Sequence, residues 1–324
     1  MPVYKCRTLI STPRDLLRIA GRVPRLSPVY SRVKLLLNRR ELPCRRIARE
    51  ILGDAAIAAR LPRIARVMYP ALEQGPGGLP DLLALLDAAR IKDLVLVTAI
   101  AAAYRNLELP DYGMRRYWRL ATRRALLARL IALETPHVEP TRAFVAGLVA
   151  DVGHLLLQMA IPAQAEDARN RAAQSGLPLA EVEAALLGFD YAQAGAVLVR
   201  RWRHCHLVEA AVENHTRPLM ATEARADACV LHVASQLAEV VEAGADVAHW
   251  QAPIRAAVWS LLGSTSERLA LMVAGAGEQF TELLDALAPE RRLDAASAPA
   301  PVARLPLRAP VTSTAQAPLA RKAG

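Results

Sequence analysis

Phe144-Val-Ala-Gly-Leu-Val-Ala-Asp-Val-Gly-His154 is the stretch on which the fold reading turns. It lies inside a largely apolar segment, Thr141 to Ala160, that reads as a helix bound for a protein core. Asp151 and His154 stand at the end of the apolar run, and carboxylates and imidazoles are the groups that ligate metals or move protons. Ala150 directly precedes Asp151, so no histidine stands beside the carboxylate.

On both sides of this stretch, Pro28 to Ala288 reads as helix. Upstream, Val33, Leu36 and Leu37, then Ile47, Ile51 and Leu52, then Ile57, Leu61 and Ile64 recur at three- and four-residue spacings, with arginines between them. Downstream, helices are expected over Tyr117–Leu133, Pro178–Leu187, Tyr191–Trp202, Leu207–Asn214 and Ala226–Glu242, and Gly188 supplies a stop. Two more should follow, one opening at Ala252-Pro253 and one at Ser264-Thr-Ser-Glu267, which has capping-box spacing. The pattern predicts an all-α, multi-helix bundle and not an alternating α/β fold. From Pro289 the composition turns to Ala, Pro, Ser, Thr and Arg without apolar periodicity, so 289–324 is expected to be a disordered tail. The expected organisation is a basic segment over 1–25, a helical domain over 26–245 with halves 26–112 and 113–245, C-terminal helices over 246–288, and the tail.

The chain has 324 residues, ample to bury a core. Its four cysteines are scattered with no C-x-x-C pair, which suggests reduced thiols and neither a disulfide framework nor a zinc site. The net charge of +10 is uneven: residues 1–66 hold 16 Lys/Arg against 4 Asp/Glu, a net +12, and the rest sums to −2. Such a basic region attracts nucleic acid, anionic lipid or an acidic protein surface, and charge alone does not choose among them. The N-terminus lacks the apolar run of a signal peptide, and the longest apolar run, Leu94 to Tyr104, is about half the ~20 residues of a membrane span. A cytoplasmic protein with no membrane span is the expectation.

Several segments, in order, carry a family resemblance. Arg25-Leu-Ser-Pro28 leads into the apolar Val33–Leu37; Ile47–Ala56 and Gly78–Asp87 follow; Tyr117-Trp118 opens a long helix; Phe144–Gly153 comes next; Glu181–Trp202 is a Glu-containing helix followed by Gly-x-x-Leu and Trp; and Asn214-His215-Thr-Arg-Pro218 closes the series. Together they resemble the HDOD domains, the HD-related output branch of the HD phosphohydrolase superfamily. The N-terminal half is the more divergent: Ala55 replaces a proline, and Ala65–Tyr69 lacks the family's Asn-Ser pair.

The resemblance implies a set of metal-ligand positions, and this chain lacks most of them. The first histidine position falls at Leu120 or Ala121, the doublet keeps Asp151 beside Ala150, the position after Asp190 is Tyr191, Asn214 replaces a histidine, and a late aspartate position holds Ser235. Asp151 and His215 are the vestigial ligands, too few for the three or four protein ligands such chemistry uses. No catalytic residue, metal or other cofactor is therefore expected. His154, Asn214 and Tyr191 are cleft candidates. His204-Cys205-His206 reads as a surface or loop cluster, since positions i and i+2 do not share a helical face. The expected function is that of a non-catalytic bacterial signalling module that binds another regulatory protein, with Arg39, Arg40, Arg45, Arg46 and Arg49 steering an acidic partner. If Arg115, Arg116, Arg119, Arg123 and Arg124 faced the same groove, both sets would suit phosphates. Two alternatives stand beside this reading: a nucleic-acid-binding regulator, and an active metal-dependent phosphohydrolase. Aromatic residues are only 4% of the chain and form no stacking ladder, which disfavours sequence-specific single-strand recognition.

Overall fold

A computed structural model describes residues 12–287, apart from 22, 40, 70, 71, 73–77, 105, 106, 108, 110–112, 246 and 248–253. Arg40, the tail over 289–324 and the Ala252-Pro253 helix start lie outside the described residues, as do residues 1–11. Among the described residues there are helices and no strands.

The first half comprises α1 (Pro13–Ile19), α2 (Pro28–Leu37), α3 (Cys44–Leu52), α4 (Ala55–Met68), α5 (Leu79–Ala84) and α6 (Ala88–Tyr104). Local chemistry sets their starts. Ser27 caps α2 with Pro28 at the first helical position, and Asp54 accepts from the Ala56 and Ile57 amides at the head of α4. Helix α6 is buried almost all round, as its unbroken apolar run requires. Helix α1, within the basic segment, seats a fully buried Leu16 against the second half.

The second half comprises α7 (Met114–Glu134), α8 (Pro140–Val149), α9 (Val152–Ala160), α10 (Pro162–Ser175), α11 (Leu179–Leu187), α12 (Tyr191–Trp202), α13 (His206–Asn214) and α14 (Arg225–Glu242). Beyond it run α15 (Ala256–Leu262), α16 (Ser266–Gly275) and α17 (Gly277–Leu287). Helix α7 is the axis, packed by α8, α14, α16 and α17, and α17 also packs on α4 of the first half. One apolar core joins the halves, taking in Val33, Ile64, Leu94, Phe144 and Leu198.

Four expectations need correction. The Thr141–Ala160 segment is two helices, α8 and α9, interrupted at Ala150 and Asp151. Helix α10 lies in the span read as helix but the sequence does not delimit it, because its residues are mostly polar or Ala and only Ala165 and Ala168 are buried. Among the described residues three helices, not two, follow α14. The cap of α16 is Thr265, whose side chain accepts from the Arg268 amide, one residue later than the capping-box spacing suggested.

Pro140–Ala160 has the length and apolar composition of a membrane span, but 83% of its most apolar window is buried in the protein, where it forms core. A polar lock joins the halves. Tyr30 of α2 donates its hydroxyl to His204 Nδ1 at 2.7 Å, and His204 Nε2 donates to Asp93 of α6 at 2.9 Å. His204 and Cys205 lie in the loop between α12 and α13, as the cluster reading allowed, but the His204 side chain is buried as a connector.

The tightest approach is between α9 and α12. A Cβ built on Gly153 would lie 1.8 Å from the Tyr191 carbonyl oxygen and 2.6 Å from the Gly195 nitrogen, both backbone atoms that cannot swing aside. Gly153→Ala is therefore expected to cost at least ~3 kcal/mol of stability or prevent folding, as overpacking against fixed backbone does. Urea unfolding checks this, with Gly176→Ala as comparison: that helix-end glycine has open space and only its φ of +69° to strain a side chain.

Candidate functional site

Asp151 lies at the break between α8 and α9, which turns its side chain toward α7 instead of along an uninterrupted helix. There it meets Arg124. The guanidinium Nη2 donates to Asp151 Oδ2 in a short, buried ion pair. Arg124 itself is 1% exposed. The sequence groups Arg124 with Arg115, Arg116, Arg119 and Arg123 as a set that would suit phosphates in a shared groove, although Leu120, Arg124, Leu127 and Ile131 share one apolar stripe of α7 and all four are buried. An arginine on such a stripe is the signal that could have found it.

Around the pair stand the groups expected in a cleft. His154 stacks on Tyr191 with ring centroids 3.9 Å apart, and Tyr191 meets the His215 ring edge-on at 5.5 Å. The His215 Nδ1 donates to the Val212 carbonyl at 2.7 Å, which fixes Nε2 as the lone-pair nitrogen of a neutral ring. Glu183 reaches in from α11, where its Oε2 accepts the Tyr191 amide at 2.7 Å and its Oε1 stands 3.8 Å from His154 Nδ1. Asp190 caps α12 in a capping box with Gln193 and accepts from Thr216. Asn214 is less central: its amide donates to the Ala210 carbonyl of its own helix. His215 is buried and His154 and Tyr191 are largely covered, so these residues form a packed cluster rather than the walls of an opening. A hollow of about 300 Å³ is lined by Leu17, Gly21, Val23, Arg25 and Arg201, none of them in the cluster.

Burial and the ion pair set the protonation states. Burial raises Asp151, but the Arg124 charge outweighs it and holds the carboxyl below its usual range. Burial lowers His154 and His215 to about 4, leaving both neutral near pH 7. Burial raises Glu183 to about 8, so its carboxyl keeps a proton at neutral pH. At the centre Arg124 faces Asp151, and beside them the buried Asp190 has Arg217 3.6 Å from its Oδ2.

The residues present do not fit the divalent ion of HD phosphohydrolases. Asp151 is committed to Arg124, His215 spends one ring nitrogen on backbone, and the other inherited positions hold Ala150, Tyr191 and Ser235, whose hydroxyl donates to the Leu231 carbonyl. Among the described residues, no three His, Cys, Asp or Glu side chains converge as a metal site.

Of the remaining arginines of α7, Arg115 is exposed, Arg129 donates to the Met68 carbonyl, and the other three face α14. Arg116 pairs with Glu239 at 2.6 Å, Arg119 with Glu242 at 2.6 Å and Arg123 with Glu242 at 3.2 Å, so this set faces α14 carboxylates and not a phosphate groove. In contrast Arg39, Arg45, Arg46 and Arg49 are exposed, the last three along the outer face of α3 with Leu52.

The HDOD domain profile matches residues 23–218. No functionally curated protein matches the chain. Among solved structures, a candidate phosphohydrolase from Shewanella amazonensis is similar at 21% identity and TM-score 0.65, over 84% of this chain and 98% of that one. An HDOD domain protein of unknown function from Geobacter sulfurreducens is similar at 17% identity and TM-score 0.63, over 86% of this chain and 97% of that one. A candidate signal transduction protein from Marinobacter aquaeolei is similar at 20% identity and TM-score 0.62, over 85% of this chain and 65% of that one. At these identities the likeness is one of fold.

The protonation states predict a pH profile. Between pH ~4.5 and 6.5 the unfolded chain binds extra protons at His154, His215 and His232, all lowered by burial, and one fewer at Glu183, so stability rises with pH. From 6.5 to about 8 only Glu183 still differs, and there the folded state binds the extra proton, so stability falls. Chemical denaturation across pH should show a maximum near pH ~6.5, and Glu183→Gln should remove a loss on the order of 2 kcal/mol above it. An unchanged high-pH limb in that variant would contradict the assignment.

Proposed function

The chain belongs to the HDOD family, and from that premise we propose that it is a non-catalytic regulatory module that acts by binding another protein. The observation that carries this reading is the buried Arg124–Asp151 pair. The one carboxylate retained from the hydrolase doublet is neutralised by a guanidinium, an arrangement that leaves no open coordination position to activate water.

Binding would use the opposite feature, charge left on the surface. Helix α3 points Arg45, Arg46 and Arg49 outward beside the exposed Leu52, and Arg39 lies exposed just before it. A long-range positive field steers acidic surfaces, while leucine supplies apolar contact area. An acidic regulatory protein is the partner of this chemistry. The same arginines are compatible with nucleic acid, which is distinguished by a steep loss of binding with salt.

Two measurements test the reading. Hydrolysis of a chromogenic phosphodiester and of cyclic nucleotides, with Mn²⁺ or Mg²⁺ present, should not exceed the protein-free rate; turnover abolished by Asp151→Ala would sink the proposal. In capture from lysate with and without nuclease, a specific protein partner should be retained by the intact chain in both arms. Glu at positions 39, 45, 46 and 49 together should weaken that binding at least ~10-fold, while recovery of nucleic acid alone would favour the other reading.

A further inference from the structure

Between α1 and α12 lies a hollow with two positive charges and no carboxylate in its lining. We propose that it is a ligand site for a small amphiphilic anion, a carboxylate or phosphate head on an aliphatic body, held at the joint between the two halves.

Three observations carry this. First, the walls come from both halves. Leu17 of α1, then Gly21, Val23 and Arg25 of the connector to α2, and Arg201 in the last turn of α12 enclose about 300 Å³. That is the lower end of the range for small-molecule pockets, which form preferentially at such junctions. Second, the two guanidinium groups are unpaired. Their neighbours in sequence are committed, Arg18 to Asp15 and Arg200 to Glu209, whereas Arg25 and Arg201 have no ion pair or hydrogen bond among the described residues. Two such forks can share the oxygens of one carboxylate or phosphate. Third, the rest of the lining is apolar. Leu17 and Val23 are half-buried against both the joint core and the smaller one around Leu16 and Phe189, and an alkyl body would cover what remains of them. No aromatic ring lines the hollow to stack on a nucleotide base.

The position gives an occupant leverage over the fold. His204 of the polar lock stands three residues beyond Arg201, and Lys34 of α2 donates to the Arg203 carbonyl. An anion bridging Arg25 and Arg201 would brace the connector that leads into α2 against the loop that carries the lock.

The inference concerns a small ligand and not the protein partner, so it stands or falls separately from the regulatory reading. Calorimetric titration of the full chain with decanoate and with decyl phosphate, each below micelle formation, tests it. At least one should bind saturably at a single site, and the tighter of the two identifies the head. Arg25→Gln and Arg201→Gln should each weaken that binding about 10-fold. Both side chains are exposed, so the variants should keep the thermal midpoint of the unaltered chain. Arg171→Gln, an exposed arginine of α10 outside the hollow, should leave binding unchanged. Decanol, which lacks the charge, and acetate and inorganic phosphate, which lack the body, should bind at least ~10-fold more weakly. No saturable binding of either amphiphile, unchanged affinity in both Gln variants, or a control compound that binds as tightly as the amphiphile would overturn the proposal.

Discussion

Where α9 crosses α12, the backbones meet at Gly153 with no room for a side chain, and the position of each group around Asp151 follows from that contact. The crossing presses the first turn of α12 against the first turn of α9. Tyr191 is thereby brought against His154, and its amide is presented to Glu183. The glycine of Asp-Val-Gly is thus a packing requirement that has nothing to do with metal. The shape of the motif therefore rests on the helix crossing, whatever residue stands at position 150.

The same distinction runs through the arginines of α7. Four guanidinium groups on one helix face three different tasks because of a 100° turn per residue. Arg116, Arg119 and Arg123 reach carboxylates of α14, and Arg123 also lies over the Phe280 ring at 4.0 Å, joining α7 to α17. Arg124, one residue on, is turned inward. Burying it is costly, and its Nε and Nη1 have no hydrogen-bond partner among the described residues. A buried pair of this kind adds little net stability, yet losing either member strands a charge, at ~3–5 kcal/mol. Its effect is to fix which face of α7 meets the α8–α9 break.

The helical frame was legible because it is written in local signals: apolar periodicity, prolines at helix starts, and Gly188 as a stop. Tyr191–Trp202 emerged with its boundaries intact because Asp190 and Gln193 form a cap readable at three-residue spacing. The site was legible only in outline. Asp151, His154, Tyr191 and His215 do gather, as the resemblance implied, but nothing in the order of residues says that Arg124, 27 positions earlier, completes them. The loop placement of His204 was legible but its burial was not, since its partners Tyr30 and Asp93 are more than a hundred residues away. Helix α10 escaped because periodicity reports burial, and that helix buries little.

Ala150 is fully buried at the end of α8, packed into the apolar core. A histidine introduced there would need space the core does not have, and the carboxylate it should join is already held by a guanidinium. Removing that guanidinium first would strand Asp151 in the interior. Each single change at this pair thus passes through a less stable protein. The core holds the pair as firmly as the pair holds the core, while substitutions on exposed faces such as that of α3 cost little.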